Sequence, residues 1–209
     1  MKRSASVAAC AMAVLWVGLA GGARAADETA ARTTLDNLQA AFNGESNAKA
    51  RYEAFAAKAN EEGYKSIATL FRAAALSESI HATNFAGVIR GMGAEPKATL
   101  VAPDVKSTKE NLEAAVKGET SERDTLYPAC AKQAEADKND KAVMMFKGAQ
   151  ASEAGHAAFF QQALDHMDAW KQPGKMFAVC AVCGFTGMGK PPQKCPVCAA
   201  PKEKFIVVK

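Results

Sequence analysis

The 209-residue chain carries 26 basic and 22 acidic residues, which gives a formal net charge of +4. A balance this even predicts no strongly charged partner and argues against nucleic-acid binding. Apolar residues make up 49% of the chain but aromatic residues only 7%. Alanine therefore supplies much of the apolar surface, which favours long helices over sheets.

The first 25 residues have the pattern of a secretion signal. Two basic residues precede an apolar run over residues 7–19, and Ala23-Arg24-Ala25 forms a small-x-small cleavage pattern. We therefore expect cleavage after Ala25 and an exported, periplasmic protein. An uncleaved leader would instead anchor the chain in a membrane, since the uncharged stretch over residues 4–23 approaches spanning length.

Four long helices are predicted between residues 34 and 170. Gly63 is placed to end the first helix, and Ser107 with Glu110 has the form of a capping box at the start of the third. Asn139 can cap the fourth helix, and Pro128 should bend the third helix or weaken one of its turns. The predicted helices cover residues 34–62, 64–90, 108–137 and 139–170.

The connections between these helices predict a topology. The first and last pairs of helices join by short turns, whereas a link of about 15 residues between the second and third can cross the whole bundle. One long crossover between two hairpins is the ferritin-like arrangement. We therefore expect an all-α ferritin-like domain over residues 26–172.

The two hairpins repeat the same polar motifs. A Gly-Glu pair ends in Glu45 in the first hairpin and in Glu119 in the second, and Glu-x-x-His follows in each. On a helix, residues three apart share one face, so each Glu-x-x-His can point both side chains at one place inside the bundle. Incidental surface spacing is the alternative, but the segments around these motifs are apolar. The Glu-x-x-His motifs are Glu78 with His81 and Glu153 with His156.

Such a set of carboxylates and histidines predicts a metal site. A carboxylate buried without a partner is costly, so several buried together require cations. One Glu from each of two helices, with Glu-x-x-His from the other two, is the ligand pattern of carboxylate-bridged di-metal bundles. Glu122 lies one turn beyond Glu119, and its counterpart in the first hairpin is Ala48, so the two halves are not equivalent.

The last segment, residues 175–209, is too short to bury a core of its own. Two Cys-x-x-Cys knuckles lie within it, and four thiolates at this spacing predict a tetrahedral metal site. Two disulfides are the alternative in an exported protein. Sulfur ligands alone do not choose between iron and zinc. The four cysteines are Cys180, Cys183, Cys195 and Cys198.

Together these motifs resemble the rubrerythrin family over about residues 35–208. The resemblance implies a di-iron domain followed by a rubredoxin-like domain that holds a further iron, with zinc left open. It also implies that His81 and Glu122 exchange as ligands between the reduced and oxidised centres. Tyr52 and Tyr127 fall where the family has tyrosines near the metal, although each is equally well read as a core residue. The implied di-iron ligands are Glu45, Glu78, His81, Glu119, Glu122, Glu153 and His156.

The function that the resemblance implies is a non-haem di-iron peroxidase that reduces hydrogen peroxide to water. The rubredoxin-like iron would relay electrons from an external redox protein, in a homodimer that places the tail of one chain beside the bundle of the other. A ferroxidase is one alternative. A non-enzymatic electron carrier or metal-binding protein with a zinc tail is another.

Overall fold

The computed structural model describes residues 32–209; the predicted leader and its cleavage site lie outside this range. The first hairpin consists of α1 (Thr34–Glu61) and α2 (Lys65–Gly91). Thr33 caps α1 in a capping box with Asp36. Gly63 has the left-handed φ of +83° that a tight helix-to-helix turn requires, so the predicted glycine cap is confirmed.

The second hairpin begins with α3 (Thr108–Ser121), and its predicted capping box between Ser107 and Glu110 is present. The single helix expected over residues 108–137 is interrupted, because a π-helical turn (Glu122–Leu126) separates α3 from α4 (Tyr127–Ala136). Pro128 has no N–H to continue the α-helical ladder, and the wider turn absorbs this defect. Within that turn the Tyr127 N–H donates to the Glu122 carbonyl.

The last helix, α5 (Asp140–Asp165), starts as predicted, with the Asn139 side chain accepting from the Ala142 N–H. The expectation that it continues to residue 170 is wrong, since it ends at Asp165 and a short 3₁₀ helix (Met167–Trp170) follows. The change of direction lets Trp170 stack on Phe177, with the ring centroids 6.4 Å apart. Burial of this indole, which is 1% exposed, compensates for the lost helical turn.

If α3, the π-helical turn and α4 are taken as one segment, four helical segments form a ferritin-like bundle. Residues 92–107 cross this bundle as the long link that the sequence predicts. Three amide side chains of α1 hold this crossover by hydrogen bonds to its backbone. Gln39 bonds Glu95 and Lys97, and Asn43 and Asn47 bond the chain near Thr99. Within residues 32–209 no helix is both long and apolar enough to cross a membrane.

The C-terminal segment folds into a small antiparallel sheet with the strand order β2-β1-β3. Phe177 and Val179 of β1 belong to the same hydrophobic core as Phe71 and Phe160 of the bundle. The C-terminal sheet therefore packs against the bundle of its own chain. Its strands are β1 (Phe177–Cys180), β2 (Thr186–Met188) and β3 (Phe205–Val208).

Candidate metal centres

The bundle brings six of the predicted ligands together in two overlapping groups. In each group the candidate ligand atoms lie within 4.8 Å of one another. Glu78 and Glu153 belong to both groups, so two ions bound here would share these carboxylates. The groups are Glu45, Glu78, His81 and Glu153, and Glu78, Glu119, Glu153 and His156.

Burial and unpaired atoms indicate that the six residues fit cations. Each is at most 2% exposed, and within the described part of the chain the carboxylate oxygens of Glu78 and of Glu153 have no partner other than the two imidazoles. Unpaired buried carboxylates are costly unless they bind positive charge. Both imidazoles turn Nδ1 toward the carboxylates, with His81 Nδ1 2.9 Å from Glu78 and His156 Nδ1 2.8 Å from Glu153.

The pKa shifts of these residues also indicate that the site fits cations. Burial, followed by repulsion from Glu78, raises the pKa of Glu153 to about 8. Burial also opposes ionisation of Glu78, but His156 and His81 outweigh it and lower the pKa of Glu78 to about 2. The carboxylates likewise outweigh burial at both histidines and raise their pKa well above the ordinary value. Metal binding here would therefore compete with protonation of Glu153 and of the two histidines.

Two tyrosines orient carboxylates of the opposite hairpin. Tyr52 of α1 donates its hydroxyl proton to Glu119 of α3, and Tyr127 of α4 donates to Glu45 of α1. Both side chains are fully buried, and burial raises the pKa of each well above its ordinary value, so both remain donors. The structure thus gives each tyrosine a contact with a predicted ligand as well as a place in the core.

Glu122 lies beside the two groups and in neither of them. It starts the π-helical turn and lines a cavity of about 530 Å³ together with Asn47 and Arg51 of α1. Burial, then repulsion from Glu45 and Glu119, raises the pKa of Glu122 well above its ordinary value. The structure thus places His81 inside the cluster and Glu122 outside it. The role of Glu122 as a ligand stays a prediction.

The four cysteines of the tail converge as the sequence predicts. Their sulfur atoms lie within 4.8 Å of one another, with Cys180 Sγ 3.7 Å from Cys198 Sγ and Cys183 Sγ 3.5 Å from Cys195 Sγ. No disulfide forms among the cysteines that the structure describes. Burial raises the pKa of Cys183, whereas backbone amides outweigh burial and lower the pKa of Cys195. Amide donors of this kind stabilise thiolate ligands.

The isolated Cys130 is 3% exposed and lies in a core cluster to which both hairpins contribute. Burial raises its pKa, so it behaves as an apolar core residue.

The first cysteine knuckle lies directly against the carboxylate–histidine centre, a contact that sequence reasoning missed. The carbonyl of Gly184 accepts from Ser77 at 2.7 Å and from Ser152 at 3.1 Å. Thr186 Oγ1 lies 3.0 Å from His156 Nε2. The sequence held one indication of the two serines. Ser77 and Ser152 each come directly before the glutamate of a Glu-x-x-His motif, so they are part of the repeat.

A ferritin-like bundle with paired glutamates and Glu-x-x-His motifs defines a carboxylate-bridged di-metal protein. Matches to known protein families identify which family of this class the chain belongs to. The family model described as "Rubrerythrin" matches residues 36–164, and the model of the "Rubrerythrin, rubredoxin-like domain" matches residues 179–206. The chain belongs to the rubrerythrin family. Its residues are those of a di-iron site and of a rubredoxin-like four-cysteine site, in a family that binds iron.

Individual relatives agree over most of their length. Nigerythrin of Nitratidesulfovibrio vulgaris is 38% identical over 179 residues, which cover 85% of this chain and 88% of the relative. Rubrerythrin of Porphyromonas gingivalis is 35% identical and covers 84% and 90%. The solved structure of fully reduced, all-ferrous nigerythrin has a TM-score of 0.79 at 36% identity, covering 88% of this chain and 91% of that one. Bacterioferritin of Mycobacterium tuberculosis shares only the fold, with a TM-score of 0.58 at 18% identity over 65% of this chain and 86% of its own.

Proposed function

We propose that this protein reduces hydrogen peroxide to water at the carboxylate–histidine centre, in defence against oxidative stress. The observation that carries the proposal is the contact between the first cysteine knuckle and His81. This contact places a site able to hold a redox-active iron next to the carboxylate–histidine centre. Reduction of one peroxide to two waters consumes two electrons and two protons. The carboxylates and histidines of the centre would hold a pair of irons that could supply these electrons, and the four cysteines would hold an iron suited to replacing them one at a time.

The residues of the chain hold and insulate this centre. Four carboxylates balance much of the charge of a metal pair, and the hydroxyls of Tyr52 and Tyr127 keep two of them in place. Phe71 and Phe160 pack on Tyr52, with ring centroids 5.9 and 5.3 Å away. This aromatic layer excludes water from one side of the centre, which strengthens the interactions inside it.

Access from outside supports a small substrate and a protein donor. A cavity of about 540 Å³ opens between bundle and tail and is lined by His81, Phe85, Cys183 and Cys198, so a molecule as small as peroxide can approach the His81 side of the centre. Cys198 is exposed, and the neighbouring Val182 is 45% exposed. We take this surface as the place where an external redox protein delivers electrons.

The proposal is tested by reoxidation of the reduced, iron-loaded protein. We expect the iron spectrum to return faster with hydrogen peroxide than with an equal concentration of oxygen in stopped-flow measurements. Glu78→Ala should abolish this reaction, because Glu78 belongs to both ligand groups. Glu53→Ala, which removes an exposed carboxylate of α1, is the matched control and should react as the wild type does.

Other outcomes favour other functions. Reoxidation no faster with peroxide than with oxygen would contradict the peroxidase, and release of ferric iron after oxygen would indicate a ferroxidase instead. Metal analysis of the purified protein completes the test. Zinc at the four-cysteine site would rule out the electron relay.

A further inference from the structure

The cavity of about 530 Å³ that Glu122 lines is formed without the tail, and we call it the crossover cavity. Its walls come from α1, from Ala114 of α3, from the π-helical turn and from residues 101–104 of the crossover. It shares no lining residue with the cavity beside His81. Val101 at its rim is 69% exposed, so the crossover cavity opens to solvent.

Three wall residues of the crossover cavity adjoin the carboxylate–histidine centre. Gly44 directly precedes one glutamate of the centre, and Glu122 lies one helical turn beyond Glu119. Arg51 directly precedes Tyr52, the tyrosine that donates to Glu119. A molecule in the crossover cavity can therefore lie against Glu122, at the edge of the centre.

Two opposite charges face the crossover cavity without pairing. The Cζ atom of Arg51 lies 5.3 Å from the centroid of the Tyr52 ring. Neither Arg51 nor Glu122 takes part in an ion pair within the described part of the chain. Asn43 and Asn47 also line the cavity, but their amides already bond the crossover backbone. A guanidinium and a carboxyl group thus remain to meet a polar ligand.

Much of the remaining wall is apolar. Phe55 is 1% exposed and belongs to the aromatic core, and Val101, Pro103 and Ala114 complete this part of the wall. Hydrogen peroxide has no apolar part and fills about the volume of two waters, roughly 60 Å³, so it needs neither this space nor this wall. Cavities of about 300–1,000 Å³ with an apolar wall and a few polar groups are typical of sites for larger organic molecules.

We propose that the crossover cavity binds organic hydroperoxides, and that this protein reduces them as further substrates. The hydrocarbon group contacts Phe55 and the crossover, and the hydroperoxy group lies between Arg51 and Glu122. Reduction breaks the O–O bond, and with two electrons and two protons one hydroperoxide gives one alcohol and one water. The inference rests on the proposed function, in which ferrous iron at the centre supplies the electrons; the protons come from solvent through the open cavity.

Binding is tested without turnover by paired glycine variants. Gly44 and Gly118 hold the same position in the two hairpins, and a Cβ at either meets nothing within 4 Å, but of the two only Gly44 lines the crossover cavity. Leucine favours the helix at both positions, so Gly44→Leu fills the cavity and Gly118→Leu is the matched control. The probe is cumyl alcohol, the reduced product of cumene hydroperoxide, titrated calorimetrically into the oxidised, iron-loaded protein.

We expect wild type and Gly118→Leu to bind cumyl alcohol equally, and Gly44→Leu to bind it about tenfold to a hundredfold more weakly, as is typical when a pocket loses space for its ligand. Ala114→Leu, at an exposed position on the α3 side of the cavity, is a second filling variant and should behave as Gly44→Leu does. No binding by the wild type, or unchanged affinity in both filling variants, would overturn the site.

The role of Arg51 is tested by the same titration. Arg51→Met keeps the aliphatic stem but removes the donors, and we expect about tenfold weaker binding of cumyl alcohol, as for loss of a hydrogen bond to a charged group. Arg51→Lys should restore much of the affinity. Lys49→Met, which removes a half-exposed charge of α1 outside the crossover cavity, is the control. Equal affinity in wild type and Arg51→Met would overturn this role.

Substrate use is tested by reoxidation of the reduced, iron-loaded protein with cumene hydroperoxide and with hydrogen peroxide. We expect Gly44→Leu to slow the reaction with cumene hydroperoxide about tenfold to a hundredfold. Hydrogen peroxide, which is small enough for the cavity beside His81, should react at the wild-type rate. Equal rates in Gly44→Leu and Gly118→Leu, equal slowing with both peroxides, or a wild type that does not react with cumene hydroperoxide would overturn the assignment.

The inference and the proposed function fail in different ways. Cumyl alcohol that binds to the wild type but not to Gly44→Leu, in a protein that reduces neither peroxide, would support the site and contradict the proposed function. Fast reaction with hydrogen peroxide in a protein that does not bind cumyl alcohol would overturn the inference alone.

Discussion

At the scale of single residues, the crossed tyrosines are the most informative contacts around the centre. Each hydroxyl crosses from one hairpin to a carboxylate of the other, so Tyr52 and Tyr127 tie together the two halves of the repeat. Both carboxylates, Glu119 and Glu45, come from the Gly-Glu positions. The tyrosines therefore set the orientation of the two glutamates that belong to only one ligand group each.

Replacing either tyrosine should weaken metal binding without unfolding the bundle. Tyr127→Phe leaves Glu45 without its hydroxyl donor, and we expect about tenfold to a hundredfold weaker binding of Co(II) at the dinuclear centre. Tyr64→Phe, at a half-buried position in the turn between α1 and α2, is the control. Titration followed by visible absorption gives both affinities, and an unchanged affinity in Tyr127→Phe would refute the role assigned to its hydroxyl.

At the scale of elements, helix α1 holds the crossover by a matched spacing. Its amides recur every fourth residue, whereas the backbone groups that they bond recur every second residue at Lys97, Thr99 and Val101. Four residues of helix rise about 6 Å, and two residues of extended chain advance about 6.6 Å, so the two rows stay in register. The crossover gains backbone partners without forming a strand.

Removing one amide should loosen this crossover locally. Asn47→Ala loses the bond to the Thr99 carbonyl and the bond from the Val101 N–H. Because each such bond contributes about 1 kcal/mol, we expect amide exchange at Val101 to become faster while the bundle helices keep their protection. Asn60→Ala, at an exposed position of α1, is the control. Unchanged exchange at Val101 would show that the amides do not hold the crossover.

At the scale of the whole molecule, metal binding and folding stability are coupled through the buried ligands. In the metal-free protein the pKa of Glu153 is about 8, above its ordinary 4.5, so the stability from its protonated form is lost as the pH rises between these values. The pKa of each histidine is raised above its ordinary 6.5. The stability that the protonated histidines contribute is therefore full below pH 6.5 and is lost as the pH rises through the raised pKa. Glu78, lowered to about 2, affects stability only in acid.

The stabilisation by metal should therefore increase with pH. Between about pH 6 and pH 8 the metal-free protein loses stability, while metal binding tightens because its ligands lose their protons. We expect the difference in Tm between Mn(II)-loaded and metal-free protein to grow over this range. Glu153→Gln should flatten the metal-free curve, and Glu135→Gln, an exposed control, should not. A difference in Tm that shrinks with rising pH would contradict this coupling.

The sequence by itself indicated the cluster of carboxylates and histidines, the four cysteines and the ends of most of the long helices. Glu-x-x-His, the cysteine knuckles, the capping box at Ser107 and the glycine turn at Gly63 all depend on spacing within a few residues, where helix and turn geometry leave few alternatives. The same locality sets one limit. Pro128 predicts an irregularity in the third helix, because it lacks the N–H that an α-helix needs. Whether the helix responds with a bend or with a π-helical turn depends on what it packs against.

Only the tertiary structure decided which surfaces meet. The crossed bonds of Tyr52 and Tyr127 and the docking of Gly184 on His81 each join residues far apart in the chain, and the early end of α5 accompanies burial of Trp170 in the core. No short-range pattern encodes such contacts, because they follow from how complete helices and strands pack. The ligands were readable in the sequence, whereas the partners that orient them belong to the fold.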